Sequence, residues 1–214
     1  MKLFKNILLI FTFLFSSLTL LSNQALADLV AGKDYKVIEP AQATSSGNKI
    51  EVLEFFFYGC SHCFQLHPNL TSWEKKKSKD VEIVSLPTVF NPNWEPMAYT
   101  YYALEAIGQK RNLHHDLFDA WNVNNIDLSD EAKISAFVSK LGVDSKKFSD
   151  AYHSFGVQSK VTRSKQLTQS YNIRGTPTLI VDGKYLITGL RPDDTITVLN
   201  LLIEKARAER AGKR

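Results

Sequence analysis

The order of apolar and polar positions after residue 48 predicts a strand, a helix and a second strand. Ile50–Phe57 is a nearly continuous apolar run, which is typical of a strand buried on both faces. After Cys60, apolar residues at helical spacing predict a helix to about Lys77, and the alternation in Val81–Leu86 predicts the second strand. This order implies a right-handed crossover between parallel strands.

From about Pro96 to Phe155 the pattern is helical and shows no strand signal. Four helices are predicted here, and the first two are Tyr99–Ile107 and Leu113–Trp121. The third is capped by Ser129 and ended by Gly142, and the fourth is opened by Asp144 and ended by Gly156. We therefore interpret residues 89–156 as an all-helical insertion.

After the insertion the strand pattern returns. The predicted elements are a helix over about Val157–Tyr171, a strand over Thr178–Val181, a two-residue turn at Asp182-Gly183, a strand over Tyr185–Thr188 and a final helix capped by Asp193 or Asp194. Residues 28–88 and 157–214 are thus expected to form one α/β domain around the insertion.

The first 27 residues have the pattern of a cleavable export signal. Lys2 and Lys5 precede an apolar run at 7–21, and a small-x-small sequence ends at Ala27. The run is short against the roughly 20 residues that a membrane-spanning helix needs. An uncleaved membrane anchor is the alternative. The mature chain is expected to start at Asp28, in an oxidising space outside the cytoplasm.

The net charge of the chain limits the kinds of molecule that it is expected to bind. The formal net charge is +4, and loss of the two lysines in the export signal lowers it to +2. This near balance gives no reason to expect nucleic-acid binding. A mature chain of about 187 residues can bury a sizeable core, so it has little need of a disulfide for stability.

The chain has two cysteines, Cys60 and Cys63, in the order Cys-Ser-His-Cys. Such a pair suits a structural disulfide, half of a zinc site or a redox-active dithiol. The little need for a stabilising disulfide weakens the first of these interpretations.

Zinc binding is disfavoured by the shortage of further ligands. A structural zinc site needs four protein ligands, and the sequence has no third cysteine. His114 and His115 are adjacent and would point about 100° apart on a helix, which makes them poor joint ligands. We interpret His67 and His153 as isolated, and as ordinary core or surface histidines.

The position of Cys60 favours the redox interpretation. The motif follows a buried strand and opens the predicted helix, so free N–H groups and the helix dipole are expected to stabilise a Cys60 thiolate. A protonated His62 would add a positive charge close to the sulfur. These influences should lower the pKa of Cys60 below the free value of about 8.5. Cys63, one turn further on, is expected to be more buried and to act as the resolving thiol.

Two segments resemble a known family. Glu54–Phe64, which reads Glu-Phe-Phe-Phe-Tyr-Gly-Cys-Ser-His-Cys-Phe, is similar to the active-site segment of DsbA-type thiol:disulfide oxidoreductases of the thioredoxin superfamily. Arg174–Thr178 and Val181–Tyr185 are similar to that family's second signature. The resemblance covers essentially all of the mature chain. It implies an α/β thioredoxin fold with an inserted all-helical domain.

The resemblance also implies a role for each matching residue. Cys60 would be the nucleophile, Cys63 the resolving thiol, His62 the main electrostatic tuner, Pro177 a cis-proline beside the dithiol, and Glu54 a buried acid that relays the Cys63 proton. The expected substrate-binding residues are Thr176, Tyr58 and Ser61. An outward-facing acid is the alternative for Glu54, and a core position is the alternative for Tyr58.

The expected function is that of a periplasmic dithiol oxidase. It would introduce disulfides into newly exported, unfolded proteins, using its own dithiol and no separate cofactor or metal. The resemblance implies reoxidation by a quinone-linked membrane partner of the DsbB type. A reductase or isomerase on the same scaffold is one alternative, and a non-catalytic, chaperone-like binding module is the other.

Overall fold

The computed structural model describes residues 29–212, except for the side chains of residues 111 and 112, and is built on a five-stranded sheet. The strands are β1 (Lys36–Val37), β2 (Ile50–Phe56), β3 (Val81–Pro87), β4 (Thr178–Val181) and β5 (Tyr185–Thr188). Their order across the sheet is β1-β5-β4-β2-β3. The predicted export signal at residues 1–27 lies outside the described residues.

Strand β2 joins the parallel and antiparallel parts of the sheet. It runs parallel to β3, with Ile50 opposite Val81, and antiparallel to β4, with Phe55 opposite Thr178. Every residue of β2 is buried, because the strand has neighbours at both edges and packing on both faces. The predicted parallel pairing is confirmed.

Most of the other residues that the structure describes lie in helices. They are α1 (Ser61–Glu74), α2 (Glu95–Ala106), α3 (Lys110–Asn122), α4 (Glu131–Lys140), α5 (Ser145–Tyr152), α6 (Phe155–Ser170) and α7 (Pro192–Ala211), with a short 3-10 helix at Pro92–Trp94. The helical character of the middle of the chain is confirmed. Because α6 runs across residue 156, the boundary of the insertion stays a prediction. Between residues 29 and 212, no helix is long and apolar enough to cross a membrane.

Two helix ends in the middle of the chain differ from the prediction. Asp130, and not Ser129, caps α4, because its carboxylate accepts a hydrogen bond from the Lys133 N–H at 2.9 Å. Gly156 lies inside α6 and does not end α5. The Ser154 hydroxyl caps α6 one residue before the helix begins, so the glycine stop signal is overridden.

The final helix also begins differently from the prediction. Neither Asp193 nor Asp194 is the N-cap residue; that position is Arg191, whose side chain makes no capping bond. Pro192 opens α7, since a proline is tolerated where the helix has no N–H partner to lose. Both aspartates lie in the first turn, where their charges suit the helix dipole.

A turn lies between β4 and β5 as predicted, but it has three residues, 182–184, and not two, because Val181 pairs with Tyr185. Asp182 and Gly183 both have positive φ angles, of 54° and 67°, as a tight hairpin turn requires. A Cβ atom on Gly183 would lie 2.1 Å from the carbonyl oxygen of Gln42. Glycine is therefore required at this position both by the backbone angle and by the close approach of the neighbouring chain.

The side chains of β2 alternate between two cores. Leu53 and Phe55 pack with Ile180 on one side of the sheet. Phe56 packs with Cys63 in a larger cluster that the middle helices complete. Glu54 has the same parity as Phe56, so it points to the side of the sheet that carries the dithiol. The strand pattern thus brings a carboxyl group behind the Cys60–Cys63 motif.

Candidate active site

Cys60 is the N-cap residue of α1, as the sequence predicts. Its backbone is extended, and its sulfur accepts a hydrogen bond from the Cys63 N–H at 3.4 Å. Both cysteines are free thiols; Cys60 is half-buried, whereas Cys63 is only 2 % exposed. One sulfur is therefore open to other molecules, and the other is enclosed in the core.

A loop far along the chain completes the site. The peptide bond between Thr176 and Pro177 is cis, which is the geometry that the family resemblance implies. The Cys60 Sγ donates a hydrogen bond to the Thr176 carbonyl oxygen at 3.2 Å, although 116 residues separate the two. The structure thus brings the predicted dithiol and the predicted proline loop into contact.

The pKa values of the two thiols move in opposite directions. The hydrogen bond from the Cys63 thiol is the main reason why the pKa of Cys60 falls from 9.0 to about 5. Hydrogen bonds from the Thr176 side chain and from the backbone N–H groups of Cys63 and His62 add to this effect, while burial opposes it. Burial raises the pKa of Cys63 far above its ordinary value, and the neighbouring Cys60 raises it further. The arrangement therefore favours a Cys60 thiolate beside a protonated Cys63 at neutral pH.

The side chains of Ser61 and His62 are exposed on the first turn of α1. The hydrogen bond by which His62 lowers the pKa of Cys60 comes from its backbone, and any residue except proline supplies such an N–H. An electrostatic role for the imidazole therefore stays a prediction. Substrate contact by Ser61 stays a prediction as well.

Glu54 is buried in β2, so the alternative of an outward-facing acid is wrong. It is 5 % exposed, and its carboxylate accepts a hydrogen bond from the Ser85 hydroxyl at 2.6 Å. Burial is the main reason why the pKa of Glu54 rises to about 7; Glu74 adds to the rise, while Ser85 and Lys110 oppose it. The carboxyl group can therefore hold or release a proton near neutral pH.

Tyr58 is a core residue, and the expectation that it contacts substrate is wrong. Its side chain is 1 % exposed, and its hydroxyl forms a 2.7 Å hydrogen bond with Nδ1 of His114. The ring packs edge-on against Phe56 and Phe118. The sequence motif identified an aromatic residue next to the cysteines, but the ring turns inward and fills the space below α1.

Other aromatic side chains form the surface beside Cys60. Phe57 stacks on Trp94 with 3.8 Å between ring centroids, and Trp121 meets Phe57 edge-on at 5.4 Å. Trp94 and Trp121 are partly exposed, and Phe90, which contacts Trp94, is 40 % exposed. Sequence reasoning missed Phe90, Trp94 and Trp121, because they lie far from the motif along the chain. We call Phe57, Phe90, Trp94 and Trp121 the aromatic wall.

The rings of the aromatic wall leave no space for a side chain at Gly59. A Cβ atom at this position would lie 2.5 Å from the Phe57 ring and 2.8 Å from the Trp121 ring. We expect Gly59→Ala to displace the wall and to lower the free energy of unfolding by about 1–3 kcal/mol, measured by urea denaturation. Gly156→Ala is the control, because nothing lies within 4 Å of its added methyl group. Equal stability of the two variants would contradict this account.

A second prediction concerns Thr176. Because a side-chain hydrogen bond from Thr176 helps to lower the pKa of Cys60, Thr176→Val should raise that pKa by about half a unit or more. Thiolate absorbance of the reduced protein, followed against pH, measures the shift. Thr197→Val, an exposed threonine on α7, is the control. An unmoved Cys60 titration in Thr176→Val would remove the hydroxyl from the set of groups that stabilise the thiolate.

The structure also brings three histidines together next to the site. The His67 ring lies 4.9 Å from the His114 ring and 5.6 Å from the His115 ring, so the interpretation of His67 as isolated is wrong. Burial lowers the pKa of His67 to about 4 and that of His114 to about 3, which leaves both rings neutral at pH 7. Among residues 29–212, no group of three or more His, Cys, Asp or Glu side chains is placed to hold a metal ion.

The separation of the two thiol pKa values defines what the site can do. An exposed thiolate can attack or leave a disulfide, and a buried thiol next to it can complete the exchange. On a sheet of this order, with a cis-proline loop against the reactive sulfur, that chemistry belongs to the thiol:disulfide oxidoreductases of the thioredoxin fold.

Comparisons with known proteins agree with this class. Residues 84–198 match the family model described as a DSBA-like thioredoxin domain. The thiol:disulfide interchange protein DsbA of Pseudomonas aeruginosa is 32 % identical over 95 % of this chain and 98 % of its own length. The thiol:disulfide interchange protein DsbA of Azotobacter vinelandii is also 32 % identical, over 97 % of this chain and 98 % of its own length.

Solved structures show the same relationship. The crystal structure of the Pseudomonas aeruginosa protein superposes with a TM-score of 0.82 at 33 % identity, covering 87 % of this chain and 98 % of that one. Reduced DsbA1 of Neisseria meningitidis gives a TM-score of 0.77 at 30 % identity, covering 87 % and 99 %. The chain therefore belongs to the DsbA family of disulfide-forming oxidoreductases.

Proposed function

We propose that this protein donates a Cys60–Cys63 disulfide to newly exported proteins in the periplasm. The observation that carries the proposal is the half-buried Cys60 sulfur, whose pKa of about 5 makes it a good leaving group. Stabilising the thiolate stabilises the reduced protein, so its disulfide becomes a stronger oxidant, by roughly 30 mV for each pKa unit below ambient pH. The export signal predicted from the sequence and the names of the relatives support this location and direction.

The exchange proceeds in two balanced steps. A substrate thiolate attacks the Cys60 sulfur, the Cys60–Cys63 bond breaks, and Cys63 leaves as a thiolate that takes up a proton. A second substrate thiolate then attacks the substrate sulfur of the mixed disulfide, and Cys60 leaves as a thiolate. The substrate loses two electrons and two protons. The protein gains two electrons and one proton, and the other proton goes to solvent.

Glu54 is the proposed source of the proton that Cys63 takes up. The raised pKa of Cys63 means that its thiolate must be protonated for the first step to be complete. Glu54 points to the same side of the sheet, and a pKa of about 7 lets it carry a proton at neutral pH. His62 is proposed to add a positive charge near Cys60 from its exposed position on α1.

Substrate is proposed to bind between the proline loop and the aromatic wall. The backbone of Thr176 would pair with an extended substrate segment next to Pro177, and Ser61 would contact the same segment. The exposed edges of Phe90 and Trp94 offer apolar surface to an unfolded chain. We further propose that residues 89–156 form a separate inserted domain that carries this surface.

Each turnover leaves the protein reduced, so a partner must remove two electrons. We propose a quinone-linked membrane protein of the DsbB type for this step, and we propose that the dithiol is the sole redox group of the chain. Support for the second point comes from the relatives, whose name, thiol:disulfide interchange protein, describes chemistry between thiols.

The test is the redox equilibrium of the dithiol against glutathione, together with thiolate absorbance against pH. We expect a strongly oxidising couple and a Cys60 that titrates near pH 5. A strongly reducing couple with an ordinary Cys60 titration would rule out the oxidase direction. Oxidation of a reduced, unfolded protein in the presence of Cys60→Ser, compared with the unmodified protein, separates catalysis from chaperone-like binding.

A further inference from the structure

Strand β3 forms one edge of the sheet, and among residues 29–212 its only strand partner is β2. In a parallel pair, alternate residues of a strand bond to the neighbour, and the backbone groups of the residues between them point the other way. The Thr88 N–H donates to the Phe56 carbonyl oxygen at 2.7 Å, so the even-numbered residues of β3 bond to β2. The backbone groups of the odd-numbered residues, from Val81 to Pro87, therefore face outward.

Both ends of this outward edge are closed by other groups. The Val81 N–H donates to the Ser78 carbonyl oxygen at 3.2 Å, and the Val81 carbonyl oxygen accepts from Lys77 Nζ at 2.7 Å. Pro87 has no N–H, and its carbonyl oxygen accepts a hydrogen bond from the Ser164 hydroxyl at 2.7 Å. Capping of this kind keeps an edge strand from pairing with another chain.

The middle of the outward edge is open. Within the part of the chain that the structure describes, the outward N–H and C=O groups of Ile83 and Ser85 form no hydrogen bond. Residues 82–85 are partly exposed and line a groove of about 890 Å³, whose walls come from α1, α2, α3 and α6. Unpaired donors and acceptors on alternate residues of an edge strand are what an extended peptide bonds to when it adds a strand to a sheet.

The groove carries an excess of positive charge. Its lining includes the cations Lys75, Lys110, Lys160 and Arg163. Of the four glutamates in the lining, Glu82 forms an ion pair at 2.7 Å with Lys49, which lies outside the groove. Burial raises the pKa of Glu54 to about 7, so that carboxyl group is only partly charged at neutral pH. Glu74 and Glu105 are left to balance four cations, and the groove therefore favours an acidic occupant.

We propose that this groove binds an extended, acidic segment of an unfolded substrate protein as an added strand next to β3. The backbone of the segment bonds to Ile83 and Ser85, and its carboxylates lie near the four cations. The choice of a substrate as the source of the strand rests on the proposed function. Glu74 lines the groove at the end of α1, whose 14 residues put it about 20 Å from Cys60. The groove thus holds a part of the substrate other than the cysteine that reacts.

The experiment uses a short, fluorescein-labelled peptide without cysteine, in which valine and glutamate alternate. Fluorescence anisotropy with the unmodified protein at low ionic strength gives its dissociation constant. The same peptide with every backbone amide N-methylated keeps its charges but has no N–H to donate, and we expect it to bind at least about tenfold more weakly. A peptide with lysine in place of glutamate should show a similar loss. No binding of the acidic peptide, or equal binding of all three, would overturn the proposal.

Ile83→Pro shows whether the acidic peptide lies along β3. Proline removes the outward N–H of Ile83 and leaves the bonds to β2 in place, because even-numbered residues make them. Ile83→Ala is the matched control, since it also shortens the side chain but keeps the N–H. We expect Ile83→Pro to bind the peptide at least about tenfold more weakly than Ile83→Ala. Equal affinities would place the peptide elsewhere and overturn the proposal.

A charge variant covers the case in which urea denaturation shows that Ile83→Pro does not fold. Arg163→Glu should then weaken binding of the acidic peptide and strengthen binding of the lysine peptide. Unchanged affinities for both peptides would contradict a site in the groove. A concentration-dependent dimer that Ile83→Ala or Arg163→Glu weakens would show that a second copy fills the groove, which overturns the choice of occupant.

The redox test of the proposed function is independent of this peptide test. An oxidising couple without binding of the acidic peptide removes the groove site alone. Binding of the peptide by a protein with a strongly reducing couple leaves the added strand in place, but removes a substrate of the oxidase as its source.

Discussion

Cys63→Ser is expected to accumulate as a mixed disulfide through Cys60. The reduced variant still has a half-buried Cys60, and the serine hydroxyl can donate a hydrogen bond in place of the Cys63 thiol. The Thr176 side chain and the backbone N–H groups of His62 and residue 63 also continue to lower the pKa of Cys60, so a thiolate is available to attack a disulfide peptide. The second thiol that would release the adduct is absent, because the hydroxyl group that replaces it cannot take part in thiol–disulfide exchange. Mass spectrometry after incubation with the peptide should show one peptide bound to nearly every molecule, attached at Cys60.

Cys60→Ser is the matched variant, and we expect it to lose all turnover. The remaining thiol, Cys63, is 2 % exposed and has a strongly raised pKa, so it is neither accessible nor ionised at neutral pH. No adduct should form over the time in which Cys63→Ser reacts to completion. An adduct on Cys63 at a comparable rate would show that the roles of the two cysteines are interchangeable, contrary to the structure.

The second large effect is a pH-dependent difference in stability between the reduced and oxidised protein. Only the reduced form has an ionisable Cys60, and its pKa in the folded state, about 5, lies below the ordinary 9.0. Between these values the unfolded chain binds the proton and the folded chain does not. The reduced form therefore gains stability as pH rises from 5 to 9 and loses this gain as pH falls through 5.

The slope of that gain has an upper limit of about 1.4 kcal/mol per pH unit. Solvent screening of the half-exposed Cys60 narrows the pH range over which this slope applies. Urea denaturation of both redox forms at several pH values measures it, and groups present in both forms, such as Glu54, cancel in the difference. A parallel pH dependence of the two forms would contradict the low pKa of Cys60. Cys60→Ser, compared with reduced protein, should remove the slope.

The elements of the fold that follow from local pattern could be predicted from the sequence. The nearly continuous apolar content of Ile50–Phe56 specifies a buried strand, and Asp182-Gly183 specifies a tight turn. Helix ends were less predictable, because several capping residues compete within a few positions. Asp130 displaced Ser129 as a cap, and Ser154 overrode the stop signal of Gly156.

Some features of the site could likewise be predicted from the sequence, and others could not. Cys60 at the start of α1 follows from the order strand, motif, helix, and the cis bond before Pro177 was implied by a motif match. The neighbours that arrive from distant segments were not predictable, since periodicity does not say which helix faces which. The aromatic wall and the three neighbouring histidines depend on how the 3-10 helix and α3 pack against β2 and α1.

The order of the strands along the chain also determines when the two parts of the site can meet during synthesis. Strand β2 and the dithiol emerge early, but β4 and Thr176, which contact them, are made more than a hundred residues later. Until then β2 has one open edge and the Cys60 sulfur lacks its partner. A chain that crosses a membrane from its N-terminus therefore exposes two unshielded thiols until nearly all of it has arrived. The Thr176 carbonyl can therefore reach the Cys60 sulfur only after most of the chain has been made.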